Sequence, residues 1–336
     1  MKIITVLGAR PQFIKAASLS RKLRQVHQEI IINTGQHYDS KMSNLFFDEL
    51  GLPKPEFNLG VGSDSHGAQT AKMLTGIEDI LINEKPDLVL LYGDTNSTLA
   101  GCLAASKLNI KTAHIEAGLR FGLKDMPEEQ NRIVTDHLAT INFAPTSAAM
   151  THLANEGLHN GVNVGDIMQD GVNYYSQLAT NTRKGDFYLA TIHRPENTDD
   201  PEILSNIFKQ LEKLPHKVIF PVHPRIQNKV YASENIEFID PVGYLEMMSL
   251  LKGCVKVISD SGGLHKEAFM LKKPCVVVLR TTAWEETLAG NCNVLARPHE
   301  ILEKTLNTSI DYSQYEQNYY GDGTTAEKII EVLSKC

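Results

Sequence analysis

The sequence predicts an α/β protein built from two doubly wound parallel-sheet domains. Short apolar β-rich runs alternate with helix-length amphipathic segments from one end to the other, and the runs are nearly continuous in hydrophobicity rather than alternating. That is the pattern of parallel strands covered by helices on both faces. The length of 336 residues exceeds one typical domain and suits two.

In the first half the strand-like runs are "KIITVLG" (2–8), "EIIINTG" (29–35), "LVLLYGD" (88–94), "KTAHIEA" (111–117), "INFAPT" (141–146) and a short "VNVGD" (162–166). Helix-length stretches such as "FIKAASLSRKLRQV" separate them. The second half repeats the scheme with "FYLATIH" (187–193), "KVIFPVH" (217–223), "IEFID" (236–240), "KVISDS" (256–261), "CVVVLR" (275–280) and "CNVL" (292–295). The polar stretch "SQLATNTRKGD" (176–186) is the hinge candidate, and the last helix, "GTTAEKIIEVLSKC", suits packing on either domain.

Composition bounds the function classes. An apolar share of 42% with 22% charged residues is that of a globular protein, and the net charge of −7 argues against a general nucleic-acid binder. The five cysteines are widely spaced and form no CxxC pair, which disfavours both a disulfide framework and a zinc site. No apolar run approaches the ~20 residues needed to span a bilayer, and "MKIITVLGARPQF" shows no cleavage pattern, so the expected location is the cytoplasm.

In doubly wound folds ligands bind at the C-terminal ends of the strands, and two facing domains would place a cleft between them. The residues at those ends are Gly8-Ala9-Arg10, Gly35-Gln36-His37, Gly93-Asp94, Glu116-Ala117-Gly118, His193-Arg194, His223-Pro224 and Ser261-Gly262-Gly263. Almost all are glycine, acid, base or histidine, the residues of chemistry rather than of packing.

Two turns suit an anion. "SDSGGLHKEA" (259–268) passes through Gly262 and Gly263 into a helix whose N–H groups and dipole favour phosphate; the alternative is a strand-to-helix turn with glycines for tight packing. "GARPQFIK" (8–15) places Arg10 and Lys15 about another helix start. Neither is a Walker A loop or a GxGxxG fingerprint, which disfavours ATP hydrolysis and dinucleotide redox chemistry.

The carboxylates raise the question of proton transfer. Asp94 ends an apolar strand or caps the next helix; Glu116 ends "KTAHIEA"; Pro127 opens a helix that carries Glu128, Glu129, Arg132 and Asp136. Glu128, Arg132 and Asp136 form either a structural network or part of a site in which one acid is held protonated and another charged. His193 and His223 occupy equivalent strand exits, which makes a ligand-facing role for at least one reasonable, and no HExxH-like cluster supports a metal.

With these residues in hand, the chain resembles the non-hydrolysing UDP-N-acetylglucosamine 2-epimerase family. The stretches "GARPQFIKAA", "NTGQHYD", "YGDTNSTLAG", "HIEAGLR", "MPEEQNRIVTDHL", "VGDIMQDG", "TIHRPEN" and "SDSGGLHKEA" carry the resemblance, in family order from residue 8 to about 290. It implies two Rossmann-like domains facing across a cleft, the GT-B fold, with residues 1–168 plus about 318–336 in one and 169–317 in the other. It also implies a cytoplasmic homodimer that uses no metal or nicotinamide cofactor, acts on a UDP-sugar and serves surface polysaccharide synthesis. The implied reaction interconverts UDP-GlcNAc and UDP-ManNAc by eliminating UDP to a 2-acetamidoglucal and adding it back.

Residue by residue, the resemblance matches Asp94, Glu116 and Glu128 to catalytic carboxylates and His193 to a catalytic histidine. Arg10, Lys15 and Arg132 match substrate and phosphate contacts; Ser261, Gly262, Gly263 and Glu267 match the UDP-binding turn, with Tyr244 and Met247 near the uracil. His223, at its own strand exit, is counted with the substrate contacts. Departures occur at "LRTTAWEETLAG", where Ala283 stands in place of an acid and Trp284 in place of an arginine; a Trp at that point resembles relatives that act on UDP-2,3-diacetamido uronic acids and similar sugars. Ala68 stands where relatives with an allosteric UDP-GlcNAc site carry arginine, and Asp39 replaces an amide, so activation through a second site is not expected. The rivals are a 2-epimerase of a UDP-2,3-diacetamido-2,3-dideoxy-glucuronate-type sugar, a hydrolysing epimerase, a GT-B glycosyltransferase and a non-catalytic UDP-sugar binder.

Overall fold

The computed structural model describes residues 1–36, 47–180, 183–315 and 319–336, so His37 and Asp39 lie outside it. The chain forms two compact units, Met1–Gly171 with Asn318–Cys336, and Val172–Gln317. Both are Rossmann-like parallel-sheet units of the GT-B type, as the sequence predicts.

Among the described residues the first unit holds seven strands: β1 (Lys2–Leu7), β2 (Gln28–Asn33), β3 (Phe57–Asn58), β4 (Leu88–Tyr92), β5 (Lys111–Ile115), β6 (Ile141–Ala144) and β7 (Gly161–Asn163). Their order is β3-β2-β1-β4-β5-β6-β7, with every paired neighbour parallel. The strand order reverses between β1 and β4, which sets the exits Gly8-Ala9-Arg10 and Gly93-Asp94 side by side at the switch point. Ile4, Val6, Ile32, Val89 and Leu91 are buried under Met73, Ile77 and Ala104 of the covering helices, which is why these runs are apolar on both faces.

The second unit holds β8 (Phe187–Thr191), β9 (Lys217–Pro221), β10 (Ile236–Ile239), β11 (Lys256–Ser259), β12 (Cys275–Val277) and β13 (Asn293–Leu295). The order is β10-β9-β8-β11-β12-β13, again parallel throughout, with the switch between β8 and β11. That places the His193 exit beside the Ser261 exit, since Thr191 pairs with Ser259.

Most strands stop about two residues before the expected ends, and at most of these exits a Gly, acid or His lies outside the ladder. β3 is a two-residue addition that no apolar run announces. The units part between Gly171 and Val172, inside the helix Ile167–Leu178, rather than in 176–186. The cause is the company kept by the later part of that helix: Tyr175 packs edge-on against Tyr244 at 5.3 Å, and Ser249 donates to the Thr180 carbonyl at 2.6 Å.

The last helix, Thr325–Leu333, belongs to the first unit. Its own cap position, Thr324, makes no side-chain cap bond, and Asp170 supplies it from a distance: Oδ1 accepts from Thr325 N at 3.1 Å and Oδ2 from Ala326 N at 2.9 Å. Replacing Asp170 by alanine is expected to cost about 1–2 kcal/mol, the usual worth of a helix cap. The loss should appear in thermal melting together with faster proteolysis after residue 318. Unchanged protection there would show that apolar burial of Ile329 and Leu333 alone retains the helix.

Candidate functional site

In the first unit, the β4 and β5 exits carry the acids. Glu116 follows directly on β5 with φ +73°, is 7% exposed, and forms an ion pair through Oε1 with the Nζ of Lys15, itself 6% exposed. Lys15, expected at a phosphate, is thus seated against an acid on the buried face of the helix Arg10–Leu23. Gly8, just before that helix, admits no side chain, since a Cβ there would lie 2.1 Å from Thr34 Oγ1 and 2.2 Å from Ser97 Oγ. Arg10 is the first residue of the helix and half-buried.

Asp94 is not a helix cap. The helix Asn96–Lys107 is capped by Thr95, whose hydroxyl accepts from Thr98 N at 3.3 Å, so the Asp94 carboxylate is left to pair with Arg132 Nη2. Arg132 also donates through Nη1 to Glu129 at 2.7 Å and stacks over Phe121 at 5.3 Å. The expected network of Glu128, Arg132 and Asp136 therefore does not form as such. Arg132 bridges Asp94 and Glu129, while Asp136 binds His114 and Arg120, so partners come from the β4 exit and from β5 and its exit rather than from Glu128 one turn away on the helix Pro127–Leu138. Glu128 sits half-buried in the first turn. Glu129 is structural: its carboxylate also accepts from Phe121 N and Gly122 N, pinning the loop after β5.

In the second unit, Asp260 organises the β8 exit. This wholly buried carboxylate accepts from the backbone N–H of His193 (3.1 Å) and Arg194 (2.9 Å), from Asn197 Nδ2 (3.0 Å) and from His193 Nδ1 (3.0 Å). Burial by itself would raise the carboxyl, but the bond and charge of His193, with Asn197 and the Arg194 N–H, hold it below its ordinary value. With Nδ1 turned to Asp260, the His193 ring has Nε2 left as the nitrogen for proton transfer. The His223 ring stacks on that of His193 at 5.3 Å and accepts through Nδ1 from Arg225 N at 3.2 Å.

Ser261 caps the helix Gly262–Met270, accepting from Leu264 N at 3.4 Å, which leaves its O–H to donate. A Cβ at Gly262 or Gly263 would meet nothing within 4 Å, and neither glycine has positive φ. Tight packing therefore does not explain them, and open space faces the helix start. Glu267 is buried and accepts from the Tyr244 hydroxyl at 2.9 Å; Met247 lies buried on the same helix as Tyr244. Trp284 covers Lys266, with Nζ 3.6 Å from the ring centre, and the two are nearly fully buried. Next to Lys266, His265 is kept neutral by burial, its value pushed down to about 3.

Sequence reasoning missed Asp260, Asn197 and Lys15's partnership with Glu116. Asp260 had a signal: it is the acid beside Ser261 at the exit next to that of His193 across the switch point. Among the described residues no group of three or more His, Cys, Asp or Glu side chains is placed to hold a metal ion.

The motifs in this geometry are those of a recognised family. The family model described as UDP-N-acetylglucosamine 2-epimerase matches residues 21–334. The chain belongs to that family.

Among its relatives, a UDP-N-acetylglucosamine 2-epimerase homolog of Methanococcus maripaludis is 48% identical over 99% of both chains. The UDP-2,3-diacetamido-2,3-dideoxy-D-glucuronate 2-epimerase of Pseudomonas aeruginosa is 45% identical over 100% of both. The solved structure of Methanocaldococcus jannaschii UDP-GlcNAc 2-epimerase in complex with UDP-GlcNAc and UDP superposes with a TM-score of 0.89 at 37% identity over the whole of both chains. Members of the epimerase family are isomerases, and this chain shares their fold from end to end. Among the described residues no helix is long and apolar enough to cross a membrane.

Proposed function

We propose that the protein inverts carbon 2 of UDP-N-acetylglucosamine, giving UDP-N-acetylmannosamine, as a homodimer that feeds surface polysaccharide synthesis. Glu116 carries the reading. A non-glycine residue held at φ +73° costs of order 1–3 kcal/mol and persists where function requires the side chain in that place. Here it presents a buried carboxylate beside a lysine at a strand exit.

The proton on carbon 2 is weakly acidic, so the chain is assigned an elimination. A base removes that proton, the electron pair forms the C1–C2 double bond, and the C1–O bond breaks with its electrons to UDP. Re-addition of UDP with protonation of carbon 2 on the opposite face completes the inversion. Glu116, Asp94, Glu128 and His193 are the proton carriers; Arg132 and Lys15 pair with Asp94 and Glu116 and orient them. Ser261 and the open Gly262-Gly263 helix start suit the pyrophosphate, with Arg10 and His223 as further substrate contacts. Glu267 suits the ribose, braced by Tyr244, with Met247 beside them at the uracil.

Trp284 favours a second reading, in which the sugar is a UDP-2,3-diacetamido uronic acid. The experiment is incubation with each nucleotide sugar in deuterated water, followed by NMR. Deuterium at carbon 2 of intact UDP-GlcNAc and its epimer is expected. Exchange only with the diacetamido uronate moves the assignment to that sugar, free sugar with UDP means hydrolysis, and no exchange with either sinks the epimerase reading.

A further inference from the structure

The turn that carries Asp94 is clamped carbonyl by carbonyl. Tyr92 O accepts from Gln12 Nε2 at 2.9 Å and Thr98 Oγ1 at 2.7 Å; Gly93 O accepts from His114 Nε2 at 2.7 Å; Asp94 O accepts from Asn131 Nδ2 at 2.9 Å. Three consecutive main-chain oxygens thus each receive a side-chain donor from another element. The middle one is unusual in its donor. His114 lies within β5, is wholly buried, and its other ring nitrogen, Nδ1, is 2.7 Å from Asp136 Oδ1.

A carbonyl oxygen only accepts, and an ionised carboxylate only accepts. A histidine placed between them satisfies both only if both ring nitrogens carry hydrogen. A neutral ring would leave a bare nitrogen lone pair facing an oxygen lone pair in the core, and such an unmade buried contact is costly. The surrounding charges permit the cation. Asp136 is wholly buried and also binds Arg120 Nη1 at 2.7 Å, while Arg120 turns to Glu156 at 2.7 Å and 2.8 Å. His114 and Arg120 as cations thus balance Asp136 and Glu156, and at the partly exposed end of the set Glu156 also meets His137 Nε2 at 2.9 Å. Burial would raise the Asp136 carboxyl, yet His114 and Arg120 hold it below its ordinary value. Cys102 also faces Asp136; burial and the Asp136 charge push its thiol up to about 12, so it stays neutral.

We infer that His114 is a positioning residue of the site, a buried cation with hydrogen on both ring nitrogens that ties Asp136 to the Gly93 carbonyl and thereby aims Asp94 and Glu116. The two acids flank the contact. Gly93 precedes Asp94, and its N–H is bound to Ile115 O at 3.0 Å, so both faces of this one peptide are held by β5. Gly93 adopts φ +63°, and a Cβ there would lie 3.5 Å from both Glu116 Oε1 and Lys15 Nζ, so the turn and the ion pair touch. On the other side, Asp136 Oδ2 accepts from Gly118 N at 3.0 Å and fixes the turn that leaves Glu116 at positive φ. Without the ring cation, the Gly93 peptide is released and both carboxylates lose their aim, although His114 contacts no substrate in this assignment.

The inference rests on the epimerase reading for its effect on turnover, but its ring chemistry is tested without any substrate. In protein labelled with nitrogen-15 histidine, the resonances that vanish in His114→Gln identify the wild-type ring. Expected are two protonated ring nitrogens with slow solvent exchange at neutral pH, becoming a single protonated nitrogen in Asp136→Asn. A wild-type His114 with one bare nitrogen overturns the inference whatever the protein turns over. In the exchange assay, His114→Gln, which can donate to only one of the two acceptors at a time, is expected to lower kcat about 10²-fold with KM little changed. A folded variant with wild-type kcat overturns the positioning role. Should His114→Gln not fold, Asp136→Asn supplies the same kcat comparison, and the wild-type ring spectrum stands as a separate test. Absence of any epimerase turnover in the wild type would sink the functional reading and leave the ring spectrum to decide the cation.

Discussion

Replacing Glu116 by glutamine is expected to slow deuterium exchange at carbon 2 by about 10²–10⁴-fold, the usual worth of a general acid or base. The amide keeps the size and shape of the side chain but can neither take the proton nor pair with Lys15. A second consequence follows from that pair. Both partners are more than nine-tenths buried, and stranding one buried charge costs about 3–5 kcal/mol, so the variant should also melt earlier. The two losses separate in a double variant. Glu116→Gln with Lys15→Met removes the stranded cation and is expected to recover much of the stability while exchange stays low. UDP affinity, measured by calorimetry, should be close to wild type in both, because the nucleotide is assigned to the turn at Ser261. Wild-type exchange in folded Glu116→Gln would remove Glu116 from the chemistry.

The strands were legible because parallel strands buried on both faces leave continuous apolar runs, and the exits were legible because a glycine, acid or histidine interrupts most of those runs. That interruption is what marks Asp94, Glu116 and His193 as strand-exit residues. What the chain order conceals is partnership between elements. Nothing local distinguishes Asp94 as an Arg132 partner from Asp94 as a cap; the decision lies with Thr95, whose hydroxyl takes Thr98 N first. Glu128 and Glu129 both lie within one turn of Arg132, yet it is Glu129 that pairs with it. β3 was invisible because two residues carry no period. Gly262 and Gly263 show the reverse case, in which the structure removes the packing explanation that sequence alone leaves open.

Asp260→Asn is expected to destabilise the second unit by about 3 kcal/mol and to lower kcat by about 10²–10⁴-fold. The wild-type carboxylate gathers four donors, two of them from His193, in a place no water reaches. An amide turns one acceptor oxygen into a donor, so at least one N–H faces another N–H, and the cheapest relief is to turn the imidazole. His193 then presents the wrong nitrogen for proton transfer. The pH dependence has a definite sign. Asp260 has a folded value below its ordinary one, so its contribution is fully present above the unfolded value of about 3.9 and is lost as pH falls through the folded value. The stability gap between wild type and Asp260→Asn should therefore be constant through neutral pH and close on acidification below about pH 4. Urea unfolding across that range measures the gap, and the exchange assay at neutral pH measures kcat. A constant gap down to the acid limit would mean that the donors hold a carboxyl whose charge contributes nothing, and His193 would then need another residue to set its ring.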